Sequence, residues 1–148
     1  MHSVFSFQGA FSPNRGFFRK LLEPFHDKYV RATDEEYDWM LKGDATEVQA
    51  WEVFTLVDQG NGKVALRTRH GKYVRATNEE HDWVLKGDVP EVQAWEVFTL
   101  VDQGNGKVAL RTGHGMYVRA THEENGWLLR GDALQVKDWE TFTMRAVP

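Results

Sequence analysis

A 44-residue repeat constrains this chain more than any other feature. His26-Asp-Lys-Tyr-Val-Arg-Ala-Thr33 returns as His70-Gly-Lys-Tyr-Val-Arg-Ala-Thr77 and again as His114-Gly-Met-Tyr-Val-Arg-Ala-Thr121. Residues 26–69 match residues 70–113 at 37 of 44 positions, and residues 114–148 match residues 70–104 at 18 of 35. Recent duplication and deliberate design both produce such similarity. A unit this short cannot bury its apolar face alone, so the three copies must close on one another.

Each copy holds four apolar segments divided by turn signals. In the middle copy these are Val64-Ala-Leu-Arg-Thr68, Tyr73-Val-Arg-Ala76, Trp83-Val-Leu-Lys86 and Trp95-Glu-Val-Phe-Thr-Leu-Val101. Arg69-His70-Gly71 joins the first pair, and Asp102-Gln-Gly-Asn-Gly106 follows the fourth, as tight hairpins require. Alternation points Val64, Leu66, Val74, Ala76, Leu85, Phe98 and Leu100 inward, with equivalents 44 residues away. No window keeps a 3.6-residue period for three turns. The one helical rival, Phe17-Phe18-Arg19-Lys20-Leu21-Leu22, falls where the first strand must lie, since Leu22 precedes Leu66 by 44. Four strands in three copies predict an all-β fold, a β-trefoil with pseudo-threefold symmetry. Six strands would form a short barrel and six would form hairpins capping one end. A propeller shares the repeat length but uses four or more blades. The repeats fall at 19–62, 63–106 and 107–148 within a single domain of residues 19–148. Residues 1–18 form a leader, whose Phe5, Phe7 and Phe11 are expected to pack on the barrel.

Composition removes several function classes. There is no cysteine, hence no disulfide scaffold, thiolate zinc site or cysteine nucleophile. The net charge of −4 does not suit a nucleic-acid binder. No stretch approaches the ~20 apolar residues of a membrane span, so no membrane insertion is expected. The first residues lack a basic n-region, which points to a cytoplasmic protein. The only serines, Ser3, Ser6 and Ser12, lie in the leader and leave no serine-hydrolase triad. The Asp102–Gly106 turn and its copy lack the distal glutamate of a calcium loop. His70 with Glu79, Glu80 and His81 is not a repeated set, because Tyr37 and Asn125 replace His81. The pairs ending in Glu36, Glu80 and Glu124 suggest acid–base catalysis, but neighbouring residues in extended chain point apart. The reading is therefore no enzyme, no metal and no cofactor.

The candidate ligand sites centre on Trp39, Trp83 and Trp127. Each stands between an acidic loop and a Leu-Lys/Arg-Gly-Asp segment, which supplies Glu36 and Asp44, Glu80 and Asp88, or Glu124 and Asp132. A rim indole gives a sugar ring a flat apolar face, and nearby carboxylates accept its hydroxyl hydrogen bonds. The alternative is that these tryptophans close the bottom of the barrel. Trp51, Trp95 and Trp139 are expected to be structural. Beside them Glu52, Glu96 and Glu140 recur in all copies, and each needs a hydrogen-bonding partner in a backbone turn or a ligand.

Gly62-Lys63-Val64-Ala65-Leu66-Arg67-Thr68, followed by Gly71-Lys72-Tyr73-Val74, closely resembles the signature of fascin-like trefoils. The copy at 106–118 resembles it too, with Met116 in place of the lysine. One branch of that superfamily binds or cross-links actin. The run Trp51-Glu-Val-Phe-Thr-Leu56, with its copy at Trp95 and Trp139-Glu-Thr-Phe-Thr-Met144, is similar to trivalent carbohydrate-binding trefoils of bacterial glucan-degrading enzymes. Gln49-Ala-Trp51 and Gln93-Ala-Trp95 resemble the Gln-x-Trp of ricin-type lectins, whose tryptophan lies in the core. Lys137-Asp-Trp139 departs from that pattern. The crowded loop histidines of hisactophilin-like proteins are missing, since only His26, His70 and His114 mark the repeated turn. The resemblance implies a carbohydrate-binding protein with three shallow sites, whose partner is a glycan or polysaccharide. The alternative it implies is an actin-binding protein. A monomer or small homo-oligomer suits either.

Overall fold

The computed structural model describes residues 17–148, so the leader phenylalanines Phe5, Phe7 and Phe11 lie outside the described residues. Twelve strands follow one another as four per repeat. The first repeat contributes β1 (Phe17–Glu23), β2 (Tyr29–Ala32), β3 (Leu41–Ala45) and β4 (Phe54–Gly60). The second gives β5 (Lys63–Arg67), β6 (Tyr73–Ala76), β7 (Leu85–Val89) and β8 (Phe98–Gly104). The third gives β9 (Lys107–Arg111), β10 (Tyr117–Ala120), β11 (Leu129–Ala133) and β12 (Phe142–Ala146).

Antiparallel pairs β1–β4, β4–β5, β5–β8, β8–β9, β9–β12 and β12–β1 run in a ring, which closes a six-stranded barrel. The inner strands of each repeat, β2–β3, β6–β7 and β10–β11, form three hairpins over one end. This is the β-trefoil. Closure leaves the barrel without an exposed edge. The turn between β4 and β5 needs positive φ at Gly60, Asn61 and Gly62, and the one between β8 and β9 repeats it at Gly104, Asn105 and Gly106. Glycine and asparagine adopt that region with least steric cost.

The core follows the alternation in the sequence. Val64, Leu66, Val74, Ala76, Leu85, Phe98 and Leu100 are all buried, as are their counterparts Leu22, Leu110, Val30, Val118, Leu41 and Leu129. Phe54, Phe98 and Phe142 are fully enclosed and provide its largest side chains. Burying one such ring contributes about 1.5–3 kcal/mol. The segment from Phe17 to Leu22 is strand, as its place in the repeat requires.

Candidate ligand-binding site

The loop joining the two strands of each cap hairpin is fixed by its own backbone. In the first repeat the Asp34 carboxylate accepts from the Glu36 N–H at 3.1 Å, starting the 3-10 turn Glu35–Tyr37. The chain then takes left-handed φ at two successive residues, 57° at Asp38 and 62° at Trp39. Trp83 and Trp127 share this conformation at 61°. A bulky residue there carries strain of order 1–3 kcal/mol, which its surroundings must offset. The offset is visible in the inter-repeat hydrogen bonds. Gly87 N–H donates to the Trp39 carbonyl at 2.8 Å, Gly131 N–H to that of Trp83 at 2.7 Å, and Gly43 N–H to that of Trp127 at 2.8 Å. The left-handed turn aims each tryptophan carbonyl at the next repeat.

The side chains of these tryptophans are half-buried and meet a histidine from a neighbouring repeat. The edge-on contacts are Trp39 to His70 at 5.1 Å and Trp83 to His114 at 5.4 Å between ring centroids. Trp127 meets His26 at 5.0 Å with the planes 31° apart. The Lys72 ammonium lies 5.4 Å from the Trp39 ring and that of Lys28 5.3 Å from Trp127, so both indoles are partly covered by cations.

The same histidines touch the second tryptophan set. His70 stacks on Trp51 at 4.7 Å and 19°, His114 on Trp95 at 4.3 Å and 13°, and His26 tilts against Trp139 at 5.7 Å. Three Trp–His–Trp clusters result, each assembled from two repeats. Trp51, Trp95 and Trp139 do not occupy the core, contrary to the expectation from the Gln-x-Trp resemblance. Trp51 is 42% exposed and Trp95 47%. The cause is local: a 3-10 turn, Ala50–Glu52 in the first repeat, interrupts strand alternation just before β4. It turns Glu52 inward and Trp51 outward, and Phe54 fills the core instead. The buried glutamates are satisfied by backbone: Glu52 accepts from Gln49 N–H at 2.6 Å, Glu96 from Gln93 N–H at 2.6 Å and Glu140 from Lys137 N–H at 2.8 Å.

Glu36 and Trp51 line one shallow concavity of about 150 Å³ with Arg31, Tyr37 and His70. Its counterpart in the second repeat, about 190 Å³, gathers Glu80, Trp95, Arg75, His81 and His114. Both are smaller than the ~300–1,000 Å³ of a deep small-molecule pocket. Neither is lined by Trp39 or Trp83, which stand behind the histidine. Asp44, Asp88 and Asp132 are held in ion pairs: the Nε of Arg31, Arg75 and Arg119 reaches the partner carboxylate at 2.6, 2.8 and 2.6 Å. A second nitrogen of each arginine completes a forked contact at 3.2–3.3 Å. These hydrogen bonds raise the arginine pKa values further above their ordinary range. The guanidinium groups of Arg31 and Arg75, which line the two concavities, are thereby fixed by their aspartates. Glu36, Glu80 and Glu124 are exposed on the 3-10 turns.

The third repeat departs from the other two. His122 stands where Asp34 and Asn78 cap their turns, makes no capping bond, and meets Trp139 edge-on at 4.2 Å. Phe25 also contacts Trp139, at 5.1 Å and 80°. Arg69 and Gly113 occupy the equivalent of Phe25 in the other copies. A Cβ on Gly113 would lie 3.1 Å from the Trp95 ring, so glycine keeps that indole uncovered. Trp139 is only half-buried, but its edges carry two rings of its own chain.

Trp51 and Trp95 are more exposed than the half-buried Trp39, Trp83 and Trp127, and the sequence carries a signal for the cluster they share. The histidine at 26, 70 and 114 recurs where its neighbours vary, and Gly126 replaces Asp38 and Asp82 at a left-handed position.

No curated protein matches the chain at a significant level. Among solved structures, the designed threefold-symmetric protein ThreeFoil superposes with a TM-score of 0.76 at 17% identity, over 87% of this chain and 99% of that one. The exo-β-1,3-galactanase 1,3Gal43A from Clostridium thermocellum gives 0.75 at 15% identity, over 88% of this chain but 30% of the enzyme. The chain thus spans about a third of the galactanase, and both likenesses concern the fold. Residues 26–144 match the Fascin domain, so the chain belongs to the fascin domain family.

Proposed function

We propose that the protein is a non-enzymatic carbohydrate-binding domain with three pseudo-equivalent shallow sites. The observation that carries this reading is the pair of exposed indoles, Trp51 and Trp95. Each is held by a stacked histidine beside a free glutamate and an arginine fixed by its own aspartate. A pyranose offers one apolar C–H face to such an indole, while its hydroxyls donate to Glu36 or Glu80 and accept from Arg31 or Arg75. The Trp39 set acts through the histidine, as a support. Single shallow sites bind weakly, and repetition on one rigid barrel raises the effective concentration at a polysaccharide. In the third repeat Phe25 and His122 narrow access to Trp139, so its affinity is the lowest of the three.

The likeness to part of an exo-β-1,3-galactanase makes β-1,3-galactan a sensible first probe. Wild type and Trp51→Ala, Trp95→Ala and Trp139→Ala variants are compared on a glycan array and by galactan pull-down. Loss in the order Trp95 and Trp51 before Trp139 is expected. No binding to any glycan, or binding indifferent to all three changes, sinks the reading. Family membership favours actin as a second reading, for which co-sedimentation with filaments at low and moderate salt is the check.

A further inference from the structure

We propose that the groove between the first and second repeats is a subsite for the carboxylate or sulfate groups of an acidic glycan, one whose chain runs off the Trp51 platform. The identity of the glycan rests on the carbohydrate reading above. The anionic preference rests on the groove itself.

Strand register builds it. Arg19 on β1 lies opposite Thr55 on β4, and Thr55 lies opposite Arg67 on β5. Directly opposed residues share a face, so two guanidinium groups flank one hydroxyl on the outside of the barrel. Arg69 lines the same groove, whose volume is about 500 Å³. Val147 and Pro148 close one side of it; among the described residues no aspartate or glutamate side chain lines it, and none of the three arginines has an ion-pair partner. Residues 1–16 contain no aspartate or glutamate that could supply one. Like charges in one cross-strand row repel, and an incoming anion relieves that repulsion while accepting forked hydrogen bonds.

The pseudo-equivalent rows show that this is a property of position, not of the fold. The second row, Lys63–Thr99–Arg111, again brackets a threonine with two cations, but Gly113 replaces Arg69. The third row reads Lys107–Thr143–Glu23, and Arg145 donates to Glu23 at 2.6 Å. Its groove, about 380 Å³, also contains Asp27 and Asp138. One face of a near-symmetric barrel is therefore cationic and another is acidic.

The cationic groove adjoins the sugar platform. Gln49 and Ala50, which line it, precede Trp51, while Arg69 and Gly71, which line it too, flank His70. The stacked Trp51–His70 pair lines the smaller concavity, and its chain neighbours on both sides line the groove. A glycan seated on the indole has only to pass these neighbours to place its next residues over Arg69, Arg67 and Arg19.

The test is calorimetric titration with three probes of equal length: oligogalacturonate, a sulfated galacto-oligosaccharide and its neutral parent. One charged probe is expected to bind the wild type about tenfold more tightly than the neutral one, with the advantage shrinking as salt rises. Which charged probe wins identifies carboxylate or sulfate as the group recognised. Arg19→Gln with Arg67→Gln should bring charged and neutral probes to parity, with the unfolding midpoint as a control for folding. Lys63→Gln with Arg111→Gln should change the ratio less. Equal binding of charged and neutral probes to the wild type overturns the proposal and leaves the carbohydrate reading intact. An unchanged ratio in the arginine variant does the same. Charged probes that bind through the arginines yet ignore Trp51→Ala uphold the groove and remove the indole platform. Absence of all binding removes both.

Discussion

Trp39 and Trp51 sit twelve positions apart in one repeat and touch the same histidine, yet they are used in opposite ways. Trp39 takes left-handed φ and gives its carbonyl to Gly87 of the next repeat, with its ring covered by His70 and Lys72. Trp51 sits on a 3-10 turn, outside the left-handed region, and leaves 42% of its surface to solvent. The contrast recurs in the second repeat at Trp83 and Trp95. Whether a large aromatic residue is packed between repeats or left exposed is thus decided by what its backbone does, more than by its side chain. His70 links the two roles, because it fixes the outer ring against the inner one.

The widest gap between the two sets should appear in stability. Trp39→Ala and Trp83→Ala remove rings locked between repeats and should each lose about 3 kcal/mol in urea unfolding, against about 1 kcal/mol or less for Trp51→Ala and Trp95→Ala. Equal losses would erase the distinction. A narrower probe is the glycine that receives the inner tryptophan's bond. A Cβ at Gly87 would meet Thr68 Cγ2 at 2.8 Å and one at Gly131 would meet Thr112 Cγ2 at 2.9 Å, whereas at Gly43 the nearest atom is Pro24 Cγ at 3.4 Å. Gly87→Ala and Gly131→Ala should cost about 1–3 kcal/mol, and Gly43→Ala close to nothing. Thermal midpoints that fall equally for all three would contradict this.

The smallest effect concerns pH. Asp38, beside Trp39, accepts from the Lys86 ammonium at 2.6 Å across the repeat boundary, and that hydrogen bond holds its carboxyl below the ordinary 3.8. A carboxyl lowered on folding stabilises the protein above its unfolded pKa, and that contribution disappears as pH falls through the folded value. Because Asp38 is exposed, the effect is modest. Melting curves between pH 6 and about pH 3 should lose slightly more stability in the wild type than in Lys86→Met. Identical acid profiles would show that the pair contributes nothing.

The barrel was legible because alternation and the 44-residue spacing agree at each strand, from Leu22 through Leu66 to Leu110. Period-two reasoning fails where the backbone leaves the extended state. At Ala50–Glu52 one tight turn exchanges the inward and outward sides, so a glutamate is buried and an indole exposed. The candidate carboxylates divided for a related reason. Glu36 and Glu80 stay free on loop turns, but Asp44 and Asp88 sit thirteen residues from Arg31 and Arg75 across an irregular hairpin, where the register shift lets each pair meet. Contacts between copies, such as His70 on Trp39, follow from closure and leave no mark within a single repeat.

The three glycine-to-tryptophan bonds all run the same way round the axis, each repeat donating to one neighbour and accepting from the other. Such head-to-tail contacts have no inherent end, and they stop only because the third repeat returns to the first. A fragment of two repeats would expose one unmatched N–H and one unmatched carbonyl at opposite ends, a polarity suited to open-ended chains. Threefold closure is what matches the last donor to the last acceptor.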